Sequence, residues 1–318
     1  MKISGFTFLR NGSKLYYPVK ESIMSALDLV DEFVVALGKG DADDNSREMI
    51  ESIGSDKIRI IDTVWDLERY PNGMEHAHQT DIAMKACTGD WLLYLQGDEV
   101  LHDEDLPEIK NRCLEFLDCP EVEGLVFDYL HFWGDYQHYH LSHGWYKNEI
   151  RIVRNLPEIH SFASAQSFRK IPEFDGVSYR RREGTEKLGC VRINARIFHY
   201  GWVRPPARMQ TKNQYMDTNH HGKKFAESKY QDVPLEFDYG PLNLVSSYKG
   251  THPKVMGEKI TSLDWQDKLY ENDPSNRPRM RHKHERFRYR LLTFVEQKIL
   301  GGRSLWEGTN FRLIGKFR

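Results

Sequence analysis

The chain has 318 residues, of which 39% are apolar and 29% charged, so it holds enough apolar material for a large core and is too apolar for a disordered protein. The 23 glycines and 13 prolines exclude a collagen-like or low-complexity chain, and no run approaches the ~18 consecutive apolar residues that span a bilayer. Charge is nearly balanced overall, but the segment from Arg277 to Arg318 has 12 basic and 3 acidic residues, which leaves the preceding part negative.

Strands and helices alternate along the first half of the chain. Branched and aromatic runs predict the strands, and apolar residues at helical spacing predict the helices between them. The predicted strands are 2–9, 32–37, 57–62 and 91–95, and the predicted helices are 18–30, 46–53 and 73–88. This alternation indicates an α/β fold with a Rossmann-type, mostly parallel sheet flanked by helices.

The second half has a looser pattern. Asp105 to Glu108 forms a capping box that predicts a helix to about Leu117. Further strands are predicted at 123–133, 150–154 and 191–199, with a His- and Tyr-rich substrate wall at 135–146, a helical stretch at 206–230 and a basic helix at 286–300. We expect residues 1–205 to form the sheet domain and residues 206–318 a basic, helical extension packed on it.

Ligands of open parallel sheets bind at the carboxyl ends of the strands, so the residues that follow each strand carry the functional prediction. The fourth strand is followed by Gln96-Gly97-Asp98-Glu99. Two acids at the end of a strand as apolar as Trp-Leu-Leu-Tyr-Leu are costly unless a cation compensates them, and a hard divalent ion suits oxygen ligands. The alternative is that these acids only cap the next helix. It is weakened because Asp105 is already predicted to cap that helix.

Three motifs resemble those of family 2 glycosyltransferases of GT-A fold, bacterial type. They are the stretch from Gly73 to Glu99, with Ala77-His78-Gln79, Thr88-Gly89-Asp90-Trp91 and Gly97-Asp98-Glu99; the segment from Arg196 through His199 to Pro206; and Gly250-Thr-His-Pro253. The resemblance covers roughly residues 1–205 as a pattern and the remainder more loosely. It makes residues 1–205 a GT-A nucleotide-sugar-binding and catalytic domain.

The resemblance implies an enzyme that moves a sugar from a nucleotide-diphosphate donor to the hydroxyl of a glycan or lipid-linked acceptor, with inversion and as a hexosyltransferase of polysaccharide biosynthesis. Asp98 and His199 would hold Mg²⁺ or Mn²⁺ against the diphosphate, and Asp98 and Glu99 would belong to the catalytic set. The positions that match the nucleotide site are Phe8, Arg10, Asn11, Asp41, His78 and Gln79.

Two positions depart from the family pattern. Gln96 replaces the first acid of the metal motif, so the protein would supply few ligands and bind the ion weakly before the donor arrives. The general base is expected 60–90 residues after the metal motif, a rough spacing that the resemblance implies. Glu158 is the first choice, His160 the second and Glu149 the third, and Ser164 stands where related bacterial sequences carry an acid.

Other functional classes lack their motifs. No Gly-x-Gly-x-x-Gly follows the first strand, no P-loop is present, the four cysteines form no Cys-x-x-Cys pair, and a nucleotidyltransferase would need a Gly-rich phosphate loop. The histidines at 131, 138, 140 and 143 match no compact metal site, and His220-His221 is interpreted as a solvated helix end. A catalytically weak, nucleotide- or glycan-binding scaffold stays the non-enzyme alternative.

The termini suggest where the protein works. Met1 to Leu9 is short, is interrupted by Lys2 and lacks the apolar core of a signal peptide. We therefore expect a cytoplasmic protein. For the basic C-terminus, the first interpretation is packing on the chain's own acidic body, and the second is peripheral contact with the inner face of the membrane. No nucleic-acid partner is expected, because no aromatic-rich basic motif accompanies these charges.

Overall fold

The computed structural model describes residues 1–273, 279–305 and 309–316. The strands within these ranges are β1 Ile3–Leu9, β2 Glu32–Gly38, β3 Ile58–Thr63, β4 Trp91–Tyr94, β5 Glu99–Leu101, β6 Gly124–Trp133, β7 His138–His140, β8 Asn148–Arg154, β9 Ile159–Phe162, β10 Ser167–Lys170, β11 Gly189–Trp202, β12 Ser246–Ser247 and β13 Arg312–Lys316. The helices are α1 Val19–Ala26, α2 Ser46–Glu51, α3 Met74–Lys85, α4 Leu106–Glu115, α5 Pro206–His221, α6 Lys223–Tyr230, α7 Gly257–Thr261 and α8 Phe287–Phe294, with a π-helical turn at Val295–Ile299.

One mixed sheet organises these elements. Its first part is parallel, in the order β4-β1-β2-β3. Antiparallel β8 joins β4 to β6, and β7 and β12 extend that side. The long strand β11 runs parallel to β6 and also pairs with β5 and β13. The α/β class with a mostly parallel sheet flanked by helices is confirmed. The strand predicted at 150–154 is β8, which runs antiparallel to its neighbours, and the short strands β7 and β12 were not predicted.

The sheet forms because its central strands are apolar on both faces. The four residues of β4 are fully or almost fully buried. One face packs on α1 and α4 through Ile23 and Ile109, and the other packs on α3 through Ala83 and Met84. Burial of this kind is the main driving force for folding. It leaves the carboxyl ends of β1 and β4 at one edge, where polar residues follow.

The start of α4 differs from the expected capping box. The Asp105 side chain makes no capping bond there. Its carboxylate instead accepts hydrogen bonds from the Arg196 backbone N–H at 2.9 Å and from the Arg196 guanidinium at 2.8 Å. An ion pair with a strand distant in sequence outcompetes the local cap, so Asp105 ties α4 to β11.

The extension after residue 205 contains strands as well as helices. The helical stretch at 206–230 breaks at Gly222, whose φ of +88° a glycine adopts easily, which separates α5 from α6. β12 and β13 then add to the sheet. Within the ranges given above, no helix is both long enough and apolar enough to cross a membrane.

Candidate functional site

A cavity of about 490 Å³ opens at the carboxyl ends of β1 and β4. Its lining comes from many parts of the chain, among them the end of β1, the loop after β4, the end of β11, one face of α5 and the loop between β9 and β10. The lining includes Phe8, Arg10, Tyr17, Trp65, His76, Gln96, Gly97, Asp98, Tyr146, Ser164, Arg180, His199, Trp202, Lys212, Tyr215 and His220. Its position is the one where open α/β sheets bind their ligands.

The pairing of β5 with β11 brings Asp98 and His199 together. In this antiparallel ladder Glu99 lies opposite His199, and the Tyr200 backbone N–H donates to the Asp98 carbonyl at 2.8 Å. The side chains then converge, with His199 Nε2 3.8 Å from Asp98 Oδ2. The register of β5 against β11, two strands about a hundred residues apart in the sequence, therefore brings Asp98 and His199 together.

A chain of hydrogen bonds fixes the tautomer of His199. The Tyr146 carbonyl can only accept, so His131 Nε2, 2.8 Å away, carries a hydrogen and donates to it. Burial lowers the pKa of both His131 and His199 to about 3, so both rings are neutral. The bare Nδ1 of His131 accepts from Nδ1–H of His199 at 3.0 Å. This leaves a free lone pair on His199 Nε2, facing Asp98.

Two acceptors that face each other suit a shared cation. A divalent ion lies ~2.1 Å from each of its ligands, so two ligands of one ion can be up to twice that distance apart. The separation of 3.8 Å between His199 Nε2 and Asp98 Oδ2 is within this limit. The neighbouring Gly201 keeps the gap open, since a Cβ there would lie 2.6 Å from the His199 ring and 2.7 Å from Asp98 Oδ2. The chemistry of the donor set therefore fits Mg²⁺ or Mn²⁺. In the described part of the chain no group of three or more His, Cys, Asp or Glu side chains is placed to hold a metal ion.

The rest of the cavity is cationic. Arg10, Arg180 and Lys212 line it, and Asp98 is the one acid among the described lining residues. Lys212 Nζ lies 4.0 Å from Asp98 Oδ2 and donates to the Gly201 carbonyl at 2.7 Å. Burial lowers the pKa of Lys212 to about 7. Such a lining favours an anionic ligand.

Glu99, for which the resemblance implied a catalytic role, is held by other side chains of the protein. It is fully buried outside the cavity lining. Its carboxylate accepts from Arg151 Nη2 at 2.7 Å and Nε at 2.8 Å, and from the Tyr129 hydroxyl at 2.8 Å. With its oxygens used by a buried arginine, Glu99 has no oxygen left for an ion or a substrate.

The three expected bases also lie outside the cavity lining. Glu158 is in the turn before β9, where its carbonyl accepts from the Ile171 backbone N–H at 2.8 Å. The His160 ring bonds to Asp81 at 2.7 Å. Glu149 is buried and accepts from the Ser167 hydroxyl at 2.9 Å. The position of Glu158 therefore gives no support to its predicted role as base, while Ser164 does line the cavity.

The residues expected to hold the nucleotide separate into two groups. Phe8 and Arg10 line the main cavity. Asn11 is buried, and its Oδ1 accepts from the Asp41 backbone N–H at 2.8 Å. Asp41 pairs with Lys14 at 2.8 Å and lines a second cavity of about 390 Å³ at the ends of β2 and β3. Asn11 therefore shapes the loop that presents Asp41.

On α3 the cavity residue is His76, and neither His78 nor Gln79 lines it. His78 stacks on Tyr70 with ring centroids 4.0 Å apart. Gln79 is buried and accepts from the Thr63 hydroxyl at 2.6 Å. Residues two apart on a helix point about 200° apart, so His76 and His78 lie on different faces of α3.

Sequence reasoning missed several lining residues, among them His220, Lys212 and Trp65. His220, interpreted as part of a solvated helix end, reaches the cavity beside His76, with ring centroids 5.2 Å apart. Lys212 was not singled out, although its spacing of eight from His220 on a helix places both near one face. Trp65 packs under Arg10, whose guanidinium lies 5.3 Å from the ring centroid, and no sequence pattern marked it.

No protein-family model matches the chain, and no curated protein matches it. Among solved structures it is similar to glucosyl-3-phosphoglycerate synthase from Mycobacterium tuberculosis in complex with Mn²⁺, uridine diphosphate and phosphoglyceric acid. That match has 16% identity and a TM-score of 0.29 and covers 40% of this chain and 43% of the other. The chain thus spans less than half of that synthase.

Two further solved structures are similar over part of their length. Staphylococcus aureus TarS matches at 13% identity and a TM-score of 0.35, over 69% of this chain and 65% of the other. The mannosyltransferase PcManGT from Pyrobaculum calidifontis, in complex with GDP-Man and Mn²⁺, matches at 16% identity and a TM-score of 0.30, over 39% and 34%. Similarity at this level does not assign a function to the chain.

Proposed function

We propose that the protein is a metal-dependent glycosyltransferase that moves a sugar from a nucleotide-diphosphate donor to an acceptor hydroxyl. The observation that carries the proposal is the pair Asp98 and His199, whose lone pairs face each other across 3.8 Å in an otherwise cationic cavity. A diphosphate would supply both the anion that the cations favour and the missing ligands of a divalent ion.

The donor's diphosphate would lie between Arg10, Arg180 and Lys212, which together offset its charge. A bound Mg²⁺ or Mn²⁺ supplies further charge neutralisation as the diphosphate leaves. Phe8, Trp65 and His76 form an aromatic wall, with the Phe8 and His76 rings stacked at 5.5 Å, that suits a planar base. Asp98 and His199 would be the protein ligands of such an ion.

We also propose that the transfer inverts the anomeric carbon, which requires a base on the acceptor side. Glu158 lies outside the lining, and His220, whose pKa burial lowers, lies beside His76 on the side proposed for the nucleobase, so neither residue is assigned as this base. The acceptor class, a glycan or a lipid-linked hydroxyl of polysaccharide biosynthesis, follows from the family resemblance and belongs to the same proposal, as does a cytoplasmic location.

A second candidate function is a scaffold that binds a nucleotide or glycan without turnover. It is favoured by one observation: apart from Asp98, no carboxylate is found among the described residues of the cavity lining. Binding with no product over a broad donor panel would support this candidate over the transferase.

The test uses the purified chain with UDP- and GDP-sugars, each with and without Mn²⁺. A ligand that binds only the folded protein raises its melting temperature, so a shift that requires both nucleotide and metal supports the site, and release of nucleoside diphosphate reports turnover. Asp98→Asn and His199→Gln should abolish both. The matched controls are Asp28→Asn and His221→Gln, which make the same changes at exposed positions.

A further inference from the structure

The outer face of the C-terminal helix is apolar. Phe287, Leu291 and Phe294 are 80%, 51% and 56% exposed, and Ile299, in the π-helical turn that follows, is 66% exposed. The first three recur at spacings of four and three, which places them along one side of α8. Large apolar side chains grouped in this way usually mark an interaction surface. We call this set the apolar stripe.

The opposite side of the helix is fixed to the sheet domain. Glu296 is fully buried and accepts from His143 Nδ1 at 2.7 Å and from Lys147 Nζ at 3.3 Å. The Gln297 amide donates to the Leu141 carbonyl at 3.0 Å. Rotating the helix to bury the stripe would take the buried Glu296 away from His143 and Lys147. The apolar stripe is therefore held outward.

The exposed charged side chains of residues 286–300 are all basic. Arg286, Arg288, Arg290 and Lys298 are all exposed. The one acid among residues 286–300 is Glu296, which points inward. The surface thus combines projecting apolar side chains with a cationic rim. A complementary partner would have a negatively charged surface with an apolar layer beneath it.

We propose that this face docks the protein on an anionic phospholipid bilayer. The apolar stripe would enter the boundary between headgroups and acyl chains, and the cations would contact the headgroups. A second copy of the chain would oppose cation to cation, and a nucleic acid would leave the stripe in water. The docking does not depend on the proposed reaction. It would hold the helix, and the 141–147 loop that carries Tyr146 of the main cavity, close to the lipid surface.

The test is co-sedimentation of the full chain with vesicles, one set of phosphatidylcholine and one of phosphatidylcholine mixed equally with phosphatidylglycerol. We expect binding to the anionic set alone. Replacing Phe287, Leu291 and Phe294 together with Ser should weaken it at least about tenfold, because the buried apolar area is lost. Arg288→Gln with Arg290→Gln should weaken it about fivefold per charge. The matched control, Phe225→Ser with Leu235→Ser, removes exposed apolar side chains elsewhere and should bind as the wild type does.

Melting temperatures separate docking from folding, since all substituted side chains are exposed and should leave the melting point unchanged. If the triple Ser variant fails to fold, the Arg288 and Arg290 variant still tests the proposal. Undiminished binding of both variants would overturn it, as would absence of wild-type binding. A dimer in sedimentation equilibrium that the triple variant abolishes would assign the stripe to self-association instead, and binding to duplex RNA but not to vesicles would assign the surface to nucleic acid.

Discussion

Replacing His131 with Phe should weaken divalent-ion binding while leaving Asp98 and His199 in place. His131 does not line the cavity, but its Nδ1 accepts the hydrogen of His199 Nδ1 at 3.0 Å. Without that acceptor the His199 ring can change tautomer or rotate, and its Nε2 no longer presents a lone pair to Asp98. A phenyl ring fills nearly the same volume between Tyr129 and Tyr146, so the packing is largely kept.

Two effects of this substitution can be estimated separately. Residues that orient a metal-ligating histidine contribute ~10–100-fold to metal affinity, which corresponds to about 1.4–2.7 kcal/mol. The substitution also leaves the Tyr146 carbonyl and His199 Nδ1–H without partners, at about 1–3 kcal/mol of folding stability for each buried group. Both affinity and melting temperature should therefore fall, and a control must separate them.

His252→Phe provides that control. The His252 ring also has one nitrogen on a carbonyl, that of Tyr136 at 2.8 Å, and the other on a side chain, the Tyr200 hydroxyl at 2.8 Å. Calorimetric titration with Mn²⁺ in the presence of UDP should show weaker binding for the His131 variant alone. Equal Mn²⁺ affinity in the wild type and the His131 variant, or equal loss in both variants, would refute the tautomer argument.

Three further results are expected. Gly201→Ala should abolish Mn²⁺ binding with a folded protein by circular dichroism, because the new Cβ would lie 2.7 Å from Asp98 Oδ2, and retained binding would contradict a shared ion. Glu99→Gln should lower the free energy of unfolding by about 3–5 kcal/mol in denaturant titration, since it leaves Arg151 charged and buried, whereas a stable but inactive variant would restore a catalytic role. Burial alone would raise the pKa of Glu32, but hydrogen bonds from Ser4 and Thr88 outweigh it and lower the pKa to about 2 from an ordinary 4.5. A carboxyl group whose pKa is lowered by folding stabilises the folded state above pH 4.5. The difference in melting temperature between wild type and Glu32→Gln should therefore be largest near pH 7 and shrink as the pH falls from about 4.5 to about 2. A difference that does not depend on pH would refute this assignment.

The amino-acid sequence by itself determined the local elements of the first half. The apolar run Trp91–Tyr94 and the helical spacing in Met74–Lys85 appear in the structure within a few residues of the predicted bounds. Both patterns arise from burial against near neighbours, so they can be recognised without the tertiary fold. The position of Asp98 after an apolar strand likewise marked the edge where the cavity lies.

Only the tertiary structure decided which polar groups meet. Glu99 and Asp98 are neighbours in sequence, yet the pairing of β5 with β11 turns Asp98 toward His199 and leaves Glu99 to Arg151. Likewise, the packing of α3 selects His76 over His78. Neighbouring side chains on a strand or helix point in different directions. Strand register and helix rotation therefore decide which of them face a given partner, and both depend on contacts between distant parts of the chain. A local sequence pattern contains no information about such contacts. For that reason the sequence indicated the edge of the sheet where the site lies, and only the tertiary structure determined which residues line it.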